Sequence, residues 1–254
     1  MIIASWNVNS IRVRKDQVAD WLETQAPDVL GLQELKCRDE DFPAQDFQER
    51  GYFCLAHGQS SYNGVALLTR RPVSDALRGI PGLDDPQARA IAATVGDTRV
   101  INLYVPNGKE VGHDHYHYKL RWLAALAEWL RGEAQRWPRL AVMGDFNIAP
   151  DDRDVHDPDE WRDKILCSEP ERAQLQALEA LGLRDSFRLF RQPAGKFSWW
   201  DYRAAGFRRN RGLRIDLILL SAELAAECRA SQIDTAPRKL ERPSDHAPVL
   251  ARFA

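Results

Sequence analysis

Residues 140–147 have the sequence Leu140-Ala141-Val142-Met143-Gly144-Asp145-Phe146-Asn147, an apolar run that ends in polar side chains. A short apolar run bounded by turn-forming residues predicts a buried strand, Leu140–Asp145. Asp145 and Asn147 are two positions apart. If the strand continues, they face the same side of the sheet, about 7 Å from each other. This stretch therefore predicts a buried strand that delivers two polar side chains to one place.

The rest of the chain repeats this combination of buried strands and amphipathic helices, which predicts an α/β fold. Strands bunched in pairs between helices indicate mixed sheets with helices packed outside. No Pro/Gly/Ser-rich linker or internal repeat interrupts residues 1–254, so we expect a single domain. The predicted helices are Val13–Thr24, Lys119–Arg136 and Glu171–Leu181, and the other predicted strands are Ile2–Val8, Asp28–Gln33, Gly64–Thr69, Ala90–Val95, Val100–Tyr104, Arg214–Leu220, Ala230–Thr235 and Pro248–Phe253.

Composition excludes several classes of protein. With 44% hydrophobic residues and a net charge of −2, the chain can bury a full core, and its charge neither demands nor forbids a polyanionic partner. The four cysteines form no C-x-x-C pair, which argues against a disulfide framework or a structural zinc site and fits a reducing compartment. No signal peptide and no run of about 20 apolar residues is present. We therefore expect a soluble cytoplasmic protein without a membrane partner.

Several further strands also end in polar residues. Asn7 ends the first strand, Gln33-Glu34 the second, and Tyr104 a later one, while Asp245-His246 precedes the last. Each alone has an ordinary structural explanation, since asparagine is a common turn former and a glutamate after a strand is usually solvated. Asp216 is harder to explain in this way, because a carboxylate buried among Ile215, Leu217 and Ile218 costs several kcal/mol unless it is paired.

Taken together, these residues suit the hydrolysis of a phosphodiester. Such a reaction needs a hard cation, which prefers oxygen ligands, and Asn7, Glu34 and Asp245 offer two carboxylates and an amide. This sparse set favours Mg²⁺ over zinc. Asp145 could orient a water and Asn147 hold a phosphate oxygen. His246 could donate a hydrogen bond to developing charge, with Asp216 fixing its ring. No serine or cysteine lies in an evident nucleophile elbow, so water is the expected nucleophile.

The ordered motifs resemble the exonuclease III branch of the endonuclease/exonuclease/phosphatase superfamily across nearly the whole chain. The resemblance implies a four-layer α/β sandwich of two packed mixed β-sheets flanked by helices, with one catalytic domain over residues 1–254 and a site at one rim between the sheets. The motifs are Trp6-Asn7-Val8-Asn9, Leu32-Gln33-Glu34, Tyr104-Val105-Pro106-Asn107-Gly108, Gly144-Asp145-Phe146-Asn147, Phe197-Ser198-Trp199-Trp200-Asp201-Tyr202-Arg203, Arg214-Ile215-Asp216 and Ser244-Asp245-His246-Ala247-Pro248.

The resemblance also implies a role for individual residues and a cofactor. It implies Mg²⁺, with Mn²⁺ expected to substitute. The residues that it places at the metal are Asn7, Glu34, Asp145, Asn147 and Asp245. Those that it makes catalytic are Tyr104, Asp145, Asn147, Asp216 and His246, and Tyr104 and Asn107 match residues that contact the target phosphate.

A separate feature favours DNA over a small phosphate ester. The segment Phe197–Arg214 interleaves aromatic residues with arginines and has no acid between Asp201 and Asp216. Arginines can neutralise backbone phosphates, while aromatic faces stack on bases or fill the gap left by a missing base. By resemblance, Trp199, Leu213 and Ile215 line a pocket for a flipped-out abasic sugar. The full set of expected DNA contacts is Arg12, Lys36, Asn107, Trp199, Arg211, Leu213, Ile215 and His246.

The predicted function is Mg²⁺-dependent repair of double-stranded DNA by a monomer. It comprises hydrolysis at abasic sites and removal of 3′ blocking groups or 3′ nucleotides to leave a 3′-hydroxyl. One alternative follows from Leu166, which stands where many relatives carry a small residue. A bulky side chain there could narrow the pocket and leave a 3′-phosphatase and 3′→5′ exonuclease with weak abasic-site incision. The alternative from a different class is a DNA-binding protein that has lost catalysis.

Overall fold

The structure is a computed structural model that describes all 254 residues. It contains twelve strands and six α-helices, joined by loops and short 3-10 helices. The helices are α1 (Ile11–Gln25), α2 (Ala44–Gln48), α3 (Asp114–Arg136), α4 (Pro158–Trp161), α5 (Glu169–Glu179) and α6 (Ala222–Glu227). No helix is long and apolar enough to cross a membrane. The strands are β1 (Ile2–Asn7), β2 (Val29–Gln33), β3 (Phe53–His57), β4 (Val65–Thr69), β5 (Val73–Arg78), β6 (Ala90–Val95), β7 (Thr98–Tyr104), β8 (Leu140–Asp145), β9 (Arg184–Asp185), β10 (Asp216–Leu220), β11 (Cys228–Ile233) and β12 (Val249–Phe253).

The predicted strands and helices are all present, with small shifts at their ends. The sequence did not reveal β3 and β5, because these edge strands have few buried side chains and so lack a clear apolar pattern. Helix α3 begins five residues before the predicted Lys119, where the His113 side chain accepts a hydrogen bond from the His115 backbone N–H. Strand β10 begins at Asp216, so this carboxylate lies at the start of the strand and not in its middle.

The strands form two mixed six-stranded sheets. The order is β11-β12-β1-β2-β4-β3 in the first sheet and β5-β6-β7-β8-β10-β9 in the second. In each sheet one central pair is parallel, β1 with β2 and β7 with β8, and the other pairs are antiparallel. The carboxyl ends of each parallel pair therefore meet at one edge of their sheet.

Apolar packing stacks the sheets and helices into four layers. Buried residues such as Ile3 and Val65 of the first sheet pack against Ile91 and Ala141 of the second. Helix α1 covers the outer face of the first sheet, and α3 and α5 cover the outer face of the second. The predicted four-layer α/β sandwich is confirmed.

A polar contact joins the two sheets close to the ends of their parallel strands. The Gln33 side chain donates to Asn102 Oδ1 at 2.5 Å, and Asn102 Nδ2 donates to the Leu32 carbonyl at 2.9 Å. Gly31 allows this approach, because a Cβ at that position would lie 2.7 Å from Asn102 Cγ. These buried hydrogen bonds fix the position of one sheet relative to the other, although Gln33 Oε1 has no hydrogen-bond partner.

Candidate active site

The ends of the central strands bring four predicted residues together between the sheets. Asn7 ends β1, and Tyr104 lies opposite Asp145 at the ends of β7 and β8. On the other side of β8, Asp216 is also opposite Asp145. The Asn7 side chain donates to Asp145 Oδ2 at 2.9 Å, a contact that crosses from one sheet to the other. Residues far apart in the sequence thus meet at one rim of the sandwich.

The backbone turns sharply at the end of β8. Gly144 has φ 147°, and a Cβ there would lie 2.0 Å from the Leu103 carbonyl oxygen, so no other residue fits. Asn147 has φ 49°, and its N–H donates to Asp145 Oδ1 at 2.9 Å. The strand therefore ends before Asn147. Asp145 and Asn147 do not lie on one face of a continuing strand, which their spacing would have allowed. A turn places Asn147 beside Asp145, where its amide contacts Asn107 at 3.0 Å.

The structure contains a possible metal site. One potential ligand atom from each of Glu34, Asp145 and His246 lies within 4.8 Å of the others. Asn7 donates its amide N–H groups to Glu34 Oε1 and Asp145 Oδ2, each at 2.9 Å, while its Oδ1 accepts from the Asn9 backbone. Two close carboxylates without a thiolate fit a hard, oxygen-seeking cation. The Lys36 ammonium, 2.9 Å from Glu34 Oε2, already balances part of this negative charge.

Asp245 lies at the same rim but outside the cluster of Glu34, Asp145 and His246. Its Oδ1 accepts from the Asn9 side chain and its Oδ2 from Trp199 Nε1, at 2.9 and 3.0 Å. Asn9 also accepts a hydrogen bond from Lys36 at 2.5 Å. Asn9 therefore links Lys36 to Asp245. In the sequence Asn9 was visible only as the fourth residue of the first motif, and no role was predicted for it.

His246 and Asp216 form the buried pair that the apolar surroundings of Asp216 required. His246 Nδ1 donates to Asp216 Oδ2 at 2.8 Å, and Nε2 is 3.6 Å from Asp145 Oδ2. Burial opposes the protonated ring, but the charges of Asp216 and Asp145 outweigh it and raise the pKa of His246 to about 10. The ring therefore carries a positive charge at neutral pH and presents an Nε2–H donor towards the cavity.

Asp145 and Tyr104 at this rim also have shifted pKa values. Burial raises the pKa of Asp145 to about 7; the charge on His246 opposes this increase, and Asp216 adds to it. Desolvation, followed by the negative charge of Glu34, raises the pKa of the Tyr104 hydroxyl well above its usual value. Tyr104 is thus a neutral hydrogen-bond donor. A nearby cation would stabilise the charged form of the Asp145 carboxylate, which burial disfavours.

A cavity of about 350 Å³ opens over these groups, and it contains some of the predicted DNA contacts but not all. Asn107, Trp199, Ile215 and His246 line it, and of these Trp199 and Ile215 were expected to line a pocket. Leu213 is fully buried, pairs with Trp199 through a backbone bridge, and does not line the cavity. Neither Arg12, which pairs with Asp41 at 2.7 Å, nor the exposed Arg211 lines it. Residues that line the cavity without having been predicted are Trp161, Ile165, Asp201 and Arg203.

The aromatic and arginine residues of Phe197–Arg214 divide between core and surface. Trp200 is buried, and Phe207 packs edge-on against it at 5.0 Å between ring centroids. Arg214 is also buried, where its guanidinium pairs with Asp154 and Asp185 at 2.6 and 2.7 Å. Only part of this segment is therefore available to contact DNA.

A buried ion pair behind the site was missed by sequence reasoning. Lys119 of α3 and Glu171 of α5 form a salt bridge in which both side chains have no exposed surface. The Lys119 ammonium also donates to the carbonyls of Asn107 and Asn147, at 3.2 and 2.6 Å. Glu171 accepts from the Leu166 N–H at 3.1 Å. This pair therefore fixes three segments that line the cavity, and no local pattern links its two members.

Comparison with known proteins agrees with the fold. The pattern of the Endonuclease/Exonuclease/phosphatase family matches residues 4–246. Exodeoxyribonuclease III of Haemophilus influenzae is 42% identical, with 100% of both chains covered. The Neisseria 3′ phosphatase NExo, solved with a product DNA hairpin, is 48% identical with a TM-score of 0.98, covering 100% of this chain and 99% of that chain.

An archaeal structure extends the similarity beyond bacteria. An AP endonuclease from Archaeoglobus fulgidus is 34% identical with a TM-score of 0.95, again over 100% of this chain and 99% of that one. The family match covers every predicted site residue from Asn7 to His246. The chain therefore belongs to the endonuclease/exonuclease/phosphatase family, in its exonuclease III-type branch.

Proposed function

We propose that this enzyme is a Mg²⁺-dependent DNA repair phosphodiesterase of exonuclease III type. It would hydrolyse double-stranded DNA at abasic sites and remove 3′ blocking groups or 3′ nucleotides, leaving a 3′-hydroxyl. The observation that carries the proposal is one cavity that holds both an acidic cluster, Glu34 with Asp145, and the apolar surfaces of Trp199 and Ile215. The names of the similar proteins, which include a nuclease, a 3′ phosphatase and an AP endonuclease, support DNA as the substrate.

The donor set fits Mg²⁺, with Mn²⁺ expected to substitute. In this proposal Glu34 and Asp145 provide the charged oxygens, and Asn7, Asn147 and Asp245 complete the surroundings of the ion. Asn7 would present its amide oxygen after its amide group rotates, since its N–H groups now face both carboxylates. When bound, the ion would neutralise charge on the phosphoryl oxygens.

The remaining steps are assigned to side chains of this chain. Asp145 orients the attacking water and accepts its proton as the water oxygen bonds to phosphorus. The bond from phosphorus to the leaving oxygen breaks, and that oxygen takes up a proton from solvent to become a hydroxyl. The Asn147 amide and the Nε2–H of His246 donate to the phosphoryl oxygens as charge develops on them, the role of a preorganised oxyanion site. Asp216 holds the His246 ring through the contact at 2.8 Å. Tyr104 and Asn107 contact the target phosphate.

The test is a gel assay with three end-labelled duplexes, each incubated in Mg²⁺ or in EDTA. One duplex has an internal abasic site, one a 3′-phosphate at a nick, and one a recessed 3′-hydroxyl. We expect at least one to be processed in Mg²⁺, with the activity lost in EDTA and restored by Mg²⁺ or Mn²⁺. Activity that persists in EDTA, or no product from any duplex in either metal, would contradict the proposal.

A second candidate has its own supporting observation, the position of Leu166. Its side chain is 4% exposed and lines the cavity beside Trp199 and Ile215. Hydrogen bonds on both sides fix its backbone: its N–H donates to Glu171, and its carbonyl accepts from Ala149. Leu166 therefore cannot easily move aside for an abasic sugar. This favours a 3′-phosphatase and 3′→5′ exonuclease with weak abasic-site incision, and the 3′ phosphatase activity named for the Neisseria relative agrees with it.

Replacement of Leu166 by glycine should raise abasic-site incision relative to removal of a 3′-phosphate. Overpacking of a cavity costs about 1–3 kcal/mol, so we expect the ratio of the two kcat/KM values to rise roughly tenfold or more. Glycine also suits the backbone, because Leu166 has φ 72°. Leu166→Met keeps the side-chain volume and should leave the ratio unchanged. An equal ratio in the wild type and Leu166→Gly would refute the narrowing.

Three further properties belong to the proposal. We infer one catalytic domain over residues 1–254, acting as a monomer on double-stranded DNA that carries abasic sites or damaged 3′ ends. The four free cysteines fit a cytoplasmic, reducing location. A DNA-binding protein without catalysis is disfavoured, because Glu34, Asp145 and His246 are all present and close together. Tight DNA binding without turnover in Mg²⁺ or Mn²⁺ would restore that alternative.

A further inference from the structure

A large cavity lies outside the acidic site and is lined by positive charge. Its volume is about 770 Å³, and parts of Phe187, Phe190 and Phe197 form apolar wall. The only acidic residue that lines it, Asp152, is paired with Arg172 at 2.8 Å. We call this the basic cavity, after its five cationic residues, Arg153, Arg188, Arg191, Lys196 and Arg209.

Three of these five cations have no partner in the protein. Arg153 pairs with Asp151, and Arg188 pairs with Asp154. Arg191, Lys196 and Arg209 are exposed and form neither a salt bridge nor a side-chain hydrogen bond, although all three line one concave surface. Like charges that converge repel one another, and an anion placed among them would relieve this repulsion. Guanidinium and ammonium groups in a concave surface suit a phosphate in particular.

The basic cavity is near the active site and connected to it by two features. Trp199 lines the active-site cavity and His156 the basic one, and Trp161 lies between them at 6.4 Å from each, measured between ring centroids. The facing rims of the two cavities, at His156 and Trp199, are therefore at most about 13 Å apart, which corresponds to no more than about four nucleotides along a duplex axis. The acid-free segment that follows Asp201 joins the same cavities, since Arg203 lines one and Arg209 the other.

We propose that the basic cavity is a second phosphate-binding subsite, which holds the DNA backbone within a few nucleotides of the bond that is cleaved. The inference rests on the proposed function, because the ligand is the substrate's own backbone. Arg191, Lys196 and Arg209 supply the charge, and they contribute to affinity and positioning but not to the chemical step. Their contacts carry no base specificity, as is usual for phosphate contacts.

The experiment combines a triple variant with chemically altered DNA. Arg191→Gln/Lys196→Gln/Arg209→Gln is compared with the wild-type sequence, both carrying Asp145→Asn so that binding is measured without turnover. The DNA is a duplex with about 10 base pairs on each side of one abasic-site analogue. We expect the triple variant to bind on the order of tenfold more weakly at about 0.1 M salt. The slope of log K against log salt should fall by roughly 2 to 3, because each lost phosphate contact contributes about 0.9.

Neutral methylphosphonates then locate the contact along the DNA. One methylphosphonate is placed in turn at each of the first five nucleotides from the abasic-site analogue, on either side and in either strand. At one set of positions it should weaken binding by the protein that retains the three cations. It should have no effect there on the triple variant. Loss of affinity without such position-dependent coupling would overturn the subsite, as would an unchanged slope.

The matched control also removes three positive charges, but from the part of the surface near the start of β8, whereas the active site lies at the end of β8. Arg131 and Arg136 lie in the last part of α3, and Arg229 lies in β11; all three are exposed. Their glutamine variant should bind DNA like the wild type, and an equal loss of affinity in it would show a nonspecific effect of net charge and overturn the inference. Failure of the proposed function would appear separately, as absence of turnover by the enzyme that retains Asp145.

Discussion

Replacement of Asp145 by asparagine should lower kcat by about 10³-fold or more while leaving the fold intact. Loss of a positioned general base typically costs roughly 10²–10⁴-fold. Asp145 takes part in several contacts at the rim: it accepts from Asn7 and Asn147 and lies 3.6 Å from His246 Nε2. Asparagine has nearly the same shape but cannot take up the proton or provide the same charge to a cation. The measurement is single-turnover incision of the best of the three duplexes at saturating Mg²⁺.

Stability should distinguish a chemical defect from misfolding in this variant. Burial penalises the charged form of Asp145, and a neutral amide also removes repulsion from Asp216. We therefore expect the thermal midpoint of Asp145→Asn to equal or exceed that of the wild type. Asp20→Asn makes the same chemical change on the exposed face of α1 and should keep full activity. A kcat within tenfold of the wild type would exclude Asp145 as the residue that activates water.

Replacement of Lys119 by methionine should cause the largest loss of stability among these variants. Removing one partner of a buried ion pair leaves an uncompensated charge and typically costs about 3–5 kcal/mol. Here the orphaned group would be Glu171, which has no exposed surface. For a chain of this size the thermal midpoint should fall by roughly 6–20 °C. Since Lys119 also holds the carbonyls of Asn107 and Asn147, kcat should fall as well.

A second substitution tests whether the orphaned charge is the cause. Adding Glu171→Gln to Lys119→Met leaves a neutral acceptor for the backbone N–H of Leu166, so the double variant should recover part of the lost stability in urea unfolding. As a surface comparison, Lys15→Met breaks the exposed pair with Asp46 and should change stability little. If Lys119→Met were no less stable than Lys15→Met, the buried pair would not be a structural requirement.

Most of the candidate site could be inferred from the sequence because its residues stand at the ends of apolar strands. Asn7, Glu34, Tyr104 and Asp145 each follow a run whose apolar pattern indicates a strand, and the ends of parallel strands meet. The apolar neighbours of Asp216 indicated that its buried carboxylate needs a partner, and His246 Nδ1 lies 2.8 Å from Asp216 Oδ2. In these cases a local pattern determines which residues are brought to the rim.

Other features depend on contacts between distant segments, and for these the sequence was insufficient. Trp199 lines the cavity, as the family resemblance implied, whereas its neighbour Trp200 is buried against Phe207 and is not available to DNA. Arg214 stands among exposed arginines in the sequence, but two aspartates from other segments hold it inside.

The sequence by itself therefore determined the α/β class, most strands and the residues of the acidic site, since apolar periodicity and polar interruption are local properties. Only the tertiary structure decided that Leu213 is buried away from the active-site cavity and that the Lys119–Glu171 pair supports that cavity. It also decided that three unpaired cations line the basic cavity together. The physical reason is that the burial and charge environment of a side chain are set by whichever segments pack around it, and most of these are remote in sequence.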